Sequence, residues 1–176
     1  MRPASLWLAA LAGCGALDFD IQKAIPEQTA PGESFSCTLN DFLDRASIAP
    51  FTLDIDVAKE TNARDTGPAR RLELASLVLD VTATKRPAGD TDNFDFLQKL
   101  EIFVESAQAG SALPRARVAV LDPVPRGATH LDVTTDRSVD LLPYTNEGAK
   151  ITSSAKASAP CDDTSFNGLV VVRVMF

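Results

Sequence analysis

From Phe51 the chain alternates in character. Phe51, Leu53, Ile55 and Val57 fall on one side and Thr52, Asp54 and Asp56 on the other, the period-two pattern of a strand with one buried and one wet face. This predicts a strand over 51–57. Leu77, Leu79 and Val81 alternate with Val78, Asp80 and Thr82, out of phase with Leu72 and Leu74, so a bulge is expected near Ala75-Ser76. Similar patterns predict strands over 100–106, 116–121, 130–135, 138–142, 150–157 and 169–176. Turn-forming stretches separate them: "RPAGDTD", "AGSALPR", "DPVPRG", "NEG" and "PCDDTSFNG". Ahead of them, Thr38 stands three residues before Asp41, with Phe42 and Leu43 following. That is a capping-type start for a short helix ending by Pro50.

About eight short strands without a long amphipathic helix predict an all-β fold. The expected architecture is a β-sandwich, immunoglobulin-like or jelly-roll-like, with one short N-terminal helix; an up-and-down β-barrel is the alternative. A transmembrane barrel is disfavoured, because the outward positions are Asp, Thr, Ser, Lys and Arg where a lipid-facing band must be apolar. At 176 residues the chain suits one domain with a single core.

The N-terminus has a different character. In "MRPASLWLAALAGC" one positive charge, Arg2, precedes the apolar run Leu6 to Leu11, and small residues lead up to Cys14, the layout of an export signal. The run is too short to span a bilayer. The segment Leu11-Ala12-Gly13-Cys14 resembles the lipobox of bacterial lipoproteins. That resemblance implies that residues 1–13 are a signal peptide removed on export and that Cys14 becomes a diacylglycerol thioether. A further acyl chain such as palmitate would join its amino group. Two or three acyl chains anchor a protein without a transmembrane helix. Gly15 stands where enteric lipoproteins retained at the inner membrane carry aspartate, so the resemblance points to the outer membrane, facing periplasm or cell surface. The runs "LASLVLDVT", "FDFLQKLEIFV" and "VDLLPYTNEG" are similar to uncharacterised β-rich envelope lipoproteins, to which no activity attaches.

The expected organisation is therefore signal peptide 1–13, tether 14–36 and a single sandwich domain 37–176. The tether reading rests on the acids, prolines and glycine of "GALDFDIQKAIPEQTAPGES". The alternation of Leu17, Phe19 and Ile21 in the same stretch also fits a first strand. Export leaves Cys37 and Cys161 as the two remaining thiols, and in an oxidising compartment such a pair is expected to form a disulfide.

Charge narrows the partners. With 24 acidic against 17 basic residues the formal charge is -7, and the basic residues are scattered, so no nucleic-acid partner is expected. Membrane attachment is assigned to the lipid anchor rather than to charge. An envelope protein meeting edge strands or end loops is the other expected partner. Aromatics make up 6% of the chain, with the only Trp inside the signal, which disfavours a sugar-stacking platform.

Candidate chemistry is sparse. His130, the only histidine, shares a strand face with Asp132 while Leu131 and Val133 face the other way, so His130 and Asp132 are expected to face water. No nucleophile-elbow, zinc-protease or phosphate-loop motif is present. The expected role is non-catalytic; a lipid-anchored hydrolase using His130 or carboxylates, or a carrier of an apolar ligand, are the alternatives. Asp90, Asp92 and Asp95, with Asn93, are oxygen donors suited to a hard cation. Read as an EF-hand loop from Asp90, the last ligand position falls on Glu101, but Phe94 and Asp95 stand where a ligand and a glycine are needed. A solvated loop is expected there, with no metal and no cofactor.

Overall fold

The computed structural model describes residues 18–32, 51–52, 57–82, 92–158, 160 and 162–176. Cys14, Cys37, Cys161, Asp90 and the helix expected before Pro50 lie outside these residues. The described chain forms β1 (Phe19–Ala30), β2 (Phe51–Thr52), α1 (Val57–Arg64), β3 (Arg71–Val81), β4 (Leu97–Ser106) and β5 (Ala116–Leu121). It continues through β6 (His130–Asp132), β7 (Thr134–Thr135), α2 (Leu142–Asn146), β8 (Ala149–Ala157) and β9 (Thr164–Met175). A four-stranded sheet has the order β1-β9-β3-β6 and a five-stranded sheet the order β2-β8-β4-β5-β7. Every ladder in both is antiparallel.

The pairing is a nested hairpin rolled on itself. Around the β4–β5 pair lie β3 with β6, then β2 with β8, then β1 with β9. Rolling brings β9 beside β3 and β8 beside β4. A sandwich made this way is a jelly roll. This selects between the two expected sandwich types, and the up-and-down barrel alternative fails because most neighbours in the sheets are not consecutive in sequence.

Several boundaries differ from expectation, each for a local reason. The tether reading is corrected over 19–30, which pair with β9 along their length; Ile21 and Ile25 are buried. There the alternation outweighs the acids and prolines, and Pro26 is tolerated because β1 is an edge strand whose register shifts between Ile25 and Gln28. The strand expected over 51–57 is β2 at its start, but Val57 opens α1. From Val57 the sequence VAKETNAR is rich in helix formers and loses the alternation. Asp65, at φ 52°, then ends the helix in the left-handed region.

The strand expected over 138–142 does not form. Asp136 Oδ1 accepts from the Ser138 N–H at 2.9 Å, and Asp140 Oδ1 accepts from Leu72 and Leu142 N–H groups at 3.1 and 3.0 Å. These side chains take backbone donors that a sheet would have used, and Pro143 lies in the first turn of α2. Residues 130–135 divide at Val133, with β6 joining one sheet and β7 the other. The bulge expected at Ala75-Ser76 is present as a register shift between Leu74 and Ser76, which keeps Leu72, Leu74, Leu77 and Leu79 all buried.

The core lies between the sheets. It is formed by those leucines with Leu100, Ile102 and Val104 of β4 and Val170, Val172 and Val174 of β9, and Phe94 meets Phe166 edge-on at 5.8 Å between ring centres. The ladders also define two ends of the sandwich. One gathers the start of β1, the start of β3, the end of β9 and α2. The other gathers the end of β1, the start of β9 and the loops around 94–97 and 122–130.

Candidate functional site

The charged groups with the most convergent geometry lie at the second end. Leu131, buried, fixes the facing of β6, so His130 and Asp132 on either side of it are exposed, as the alternation predicts. Register sets His130 directly opposite Asp80 of β3. His130 Nδ1 lies 2.6 Å from Asp80 Oδ1, and Nε2 lies 3.4 Å from Asp132 Oδ1. The hydrogen bond to Asp80, the largest influence, raises the His130 pKa above its ordinary value; desolvation opposes it, and the weaker attraction of Asp80 and Asp132 adds to the rise.

This arrangement favours an imidazolium. In a nucleophile-activating triad one ring nitrogen takes the carboxylate and the other faces the nucleophile, in the neutral form. Here both nitrogens face carboxylates and the proton is held more tightly. The group acts as a charged clamp from β6 to β3 on an open sheet face. Asp80 was missed from sequence because it stands fifty positions from His130, and only strand register brings them together.

The acidic loop serves a second local purpose. Asp95 Oδ1 accepts the Gly127 N–H at 2.6 Å, and Asn93 Oδ1 accepts the Asp95 N–H at 2.8 Å. Gly127 has φ 66°, so the carboxylate holds a left-handed turn in the 122–130 loop. Asp92 is half-buried nearby in sequence. Among the described residues no cluster of three or more His, Cys, Asp or Glu side chains is arranged to hold a metal.

A third constellation, across the outer face of the four-stranded sheet near its first end, was also missed. Asp20, Arg173 and Glu73 stand opposite one another on β1, β9 and β3. Arg173 Nε and Nη2 donate to the two oxygens of Asp20 at 2.9 and 3.1 Å. That bidentate bond holds the Asp20 carboxyl below the usual carboxylate range. Alternation marks each of these residues as outward, but nothing along the chain pairs Asp20 with Arg173.

No protein-family model matches the chain, and no curated protein matches it in sequence. Among solved structures it has a distant likeness to the decameric BFDV capsid protein, at 9% identity over 90% of this chain and 98% of that one, with a TM-score of 0.35. The 60-mer of the same capsid protein gives 9% identity, 90% and 93% coverage and a TM-score of 0.35. A Desmodium yellow mottle tymovirus structure gives 12%, 99% and 89%, and 0.28. Likeness at this level says nothing of function.

Proposed function

We propose that the chain is a lipid-anchored protein of the bacterial envelope, processed at Cys14, whose jelly-roll sandwich is a non-catalytic binding or structural module. The observation that carries this reading is the segment Leu11-Ala12-Gly13-Cys14 after an apolar run with one leading positive charge, a short distance before the first strand. Acyl chains on Cys14 would replace a membrane-spanning segment, and among the described residues no helix is long and apolar enough to cross a membrane. Gly15 favours the outer membrane, and the module would meet an envelope partner through its edge strands and end loops. The doubly carboxylate-bound imidazole of His130 supports the non-catalytic reading over a hydrolase.

The test is replacement of the anchor. Cys14→Ser should move the protein from the membrane to the soluble fraction or leave an unprocessed precursor, and mass spectrometry of the native protein should find Cys14 at the N-terminus carrying acyl groups. Unchanged membrane fractionation with an unmodified Cys14 would overturn the proposal.

A further inference from the structure

Only Gly15 to Asp18 separate Cys14 from β1, which starts at Phe19. A chain advances at most about 3.6 Å per residue, so the start of β1 cannot lie more than roughly 18 Å from the anchoring cysteine. An anchor there would hold the first end of the sandwich against the bilayer rather than release the domain on a long leash.

That end carries what a lipid surface would meet. Phe19 and Phe176 are half-buried at the margin of the core, their ring centres 5.9 Å apart. Beside them the Arg70 N–H donates to the Met175 carbonyl, and Arg71 stands opposite Met175 in the ladder. Arg71 Nη2 donates to the carbonyl of Arg137, whose own Nη2 donates to the carbonyl of Ala75 at 3.2 Å. Backbone carbonyls position these guanidinium groups without cancelling their charge. Arg70 and Arg137 are exposed, and among the described residues neither they nor Arg71 forms an ion pair with a carboxylate.

The acids of the same end have partners within the protein, Asp20 and Glu105 cations, and Asp136, Asp140 and Glu147 uncharged donors that leave their charge in place. Asp20 takes Arg173, Glu105 takes Lys150 at 3.2 Å, Asp136 takes Ser138, Asp140 takes two backbone N–H groups, and Glu147 accepts from Ser111. Glu73 is buried opposite Arg173, and Asp18 lies within range of the same arginine. At the opposite end stand Asp80, Asp95, Asp122, Asp132, Asp162 and Asp163. Arg70, Arg71 and Arg137 thus stand next to the anchor with no carboxylate bound to them, while at the opposite end Arg126, exposed and also without an ion pair among the described residues, stands among these acids.

We infer that this end docks on an anionic phospholipid bilayer, Arg70, Arg71 and Arg137 meeting headgroup phosphates and the Phe19–Phe176 pair lying at the headgroup boundary. The inference rests on the anchor at Cys14 proposed above. Docking would orient the acidic end and its loops, including the His130 clamp, away from the membrane and towards any partner.

The test uses the full lipidated protein in vesicles with about a quarter phosphatidylglycerol. Removal of the signal leaves no tryptophan in the mature chain, so Phe176→Trp and, at the opposite end, Thr129→Trp serve as separate reporters, quenched by bromine-labelled lipid. Phe176→Trp should be quenched and Thr129→Trp should not. Arg70→Gln, whose side chain makes no bond among the described residues, should lower the docked-to-undocked ratio roughly fivefold, the factor a basic residue is worth at an anionic surface. Purely zwitterionic vesicles or high salt should act in the same direction. Mass spectrometry and flotation report the anchor independently. Lipidated protein with equal quenching at both ends, or none at either, overturns docking and leaves the anchor standing; absence of lipid on Cys14 overturns both.

Discussion

At the residue scale, the perturbed imidazole of His130 sits where two backbones fix two side chains that water could otherwise separate. His130 and Asp80 are both about half exposed, at 52% and 50%, so solvent screens their attraction and its contribution to stability is small. Its sign is nonetheless defined. Because the folded-state pKa of His130 is raised, the contribution is fully present below the unfolded value near about 6.5 and is lost as pH rises through the folded value. His130→Gln should leave the fold intact. Melting curves of wild type and variant should differ most in mildly acidic buffer, wild type the higher, and converge as pH rises past the folded-state pKa. A gap that widened with pH would contradict the clamp. The facing of His130 was legible from the alternation with Leu131, whereas its partner was not, since alternation carries no information about register between distant strands.

At the element scale, β9 is the strand whose sequence misleads most. Its first half, "TSFNG", reads as turn, yet Thr164, Ser165 and Phe166 are buried and Gly168 lies inside the ladder between Ile25 of β1 and Leu79 of β3. A methyl group on Gly168 would fall 2.5 Å from the Val78 carbonyl oxygen and 2.8 Å from a Leu79 methyl. The glycine permits close approach at the centre of the sheet. Gly168→Ala should therefore destabilise the domain by about 1–3 kcal/mol in denaturant unfolding, against less than about 0.5 kcal/mol for the neighbouring exposed Asn167→Ala. Equal midpoints would refute the packing argument. The same contrast governs the other elements. Strands with clean alternation, such as 116–121 and 150–157, were legible almost to the residue. Segments where Asp136 and Asp140 capture backbone donors, or where helix formers follow Val57, were misread as strand because period-two patterns over five residues also arise in turns and short helices.

At the scale of the whole molecule, the nested pairing brings connections together as well as strands. Cys37 stands between β1 and β2 in sequence, and Cys161 between β8 and β9. β1 pairs with β9 and β2 with β8, so these connections link the same two pairs of strands. Their described flanks already touch: the Gly32 N–H donates to Asp163 Oδ1 at 2.8 Å, and a methyl group on Gly32 would fall 2.1 Å from the Asp162 carbonyl carbon. From Gly32 the chain can reach up to about 18 Å by Cys37, and Cys161 adjoins Asp162 in sequence, so chain length permits a bond between the cysteines. The cysteine count and the resemblance to an export signal suggest the pair; the strand pairing brings the described flanks of the two connections together, which one-dimensional spacing cannot show. Crosslinking so long a loop is worth on the order of 4 kcal/mol in the loop-entropy description, less where strain intervenes. Protein isolated from the envelope and unfolded without reductant should show no free thiol, with Cys14 blocked as a thioether. Reduction should lower the melting temperature, and Cys37→Ser and Cys161→Ser should each lower it to the reduced value and no further when combined. Two titratable thiols in the unreduced protein, or an unchanged melting temperature on reduction, would refute the bond.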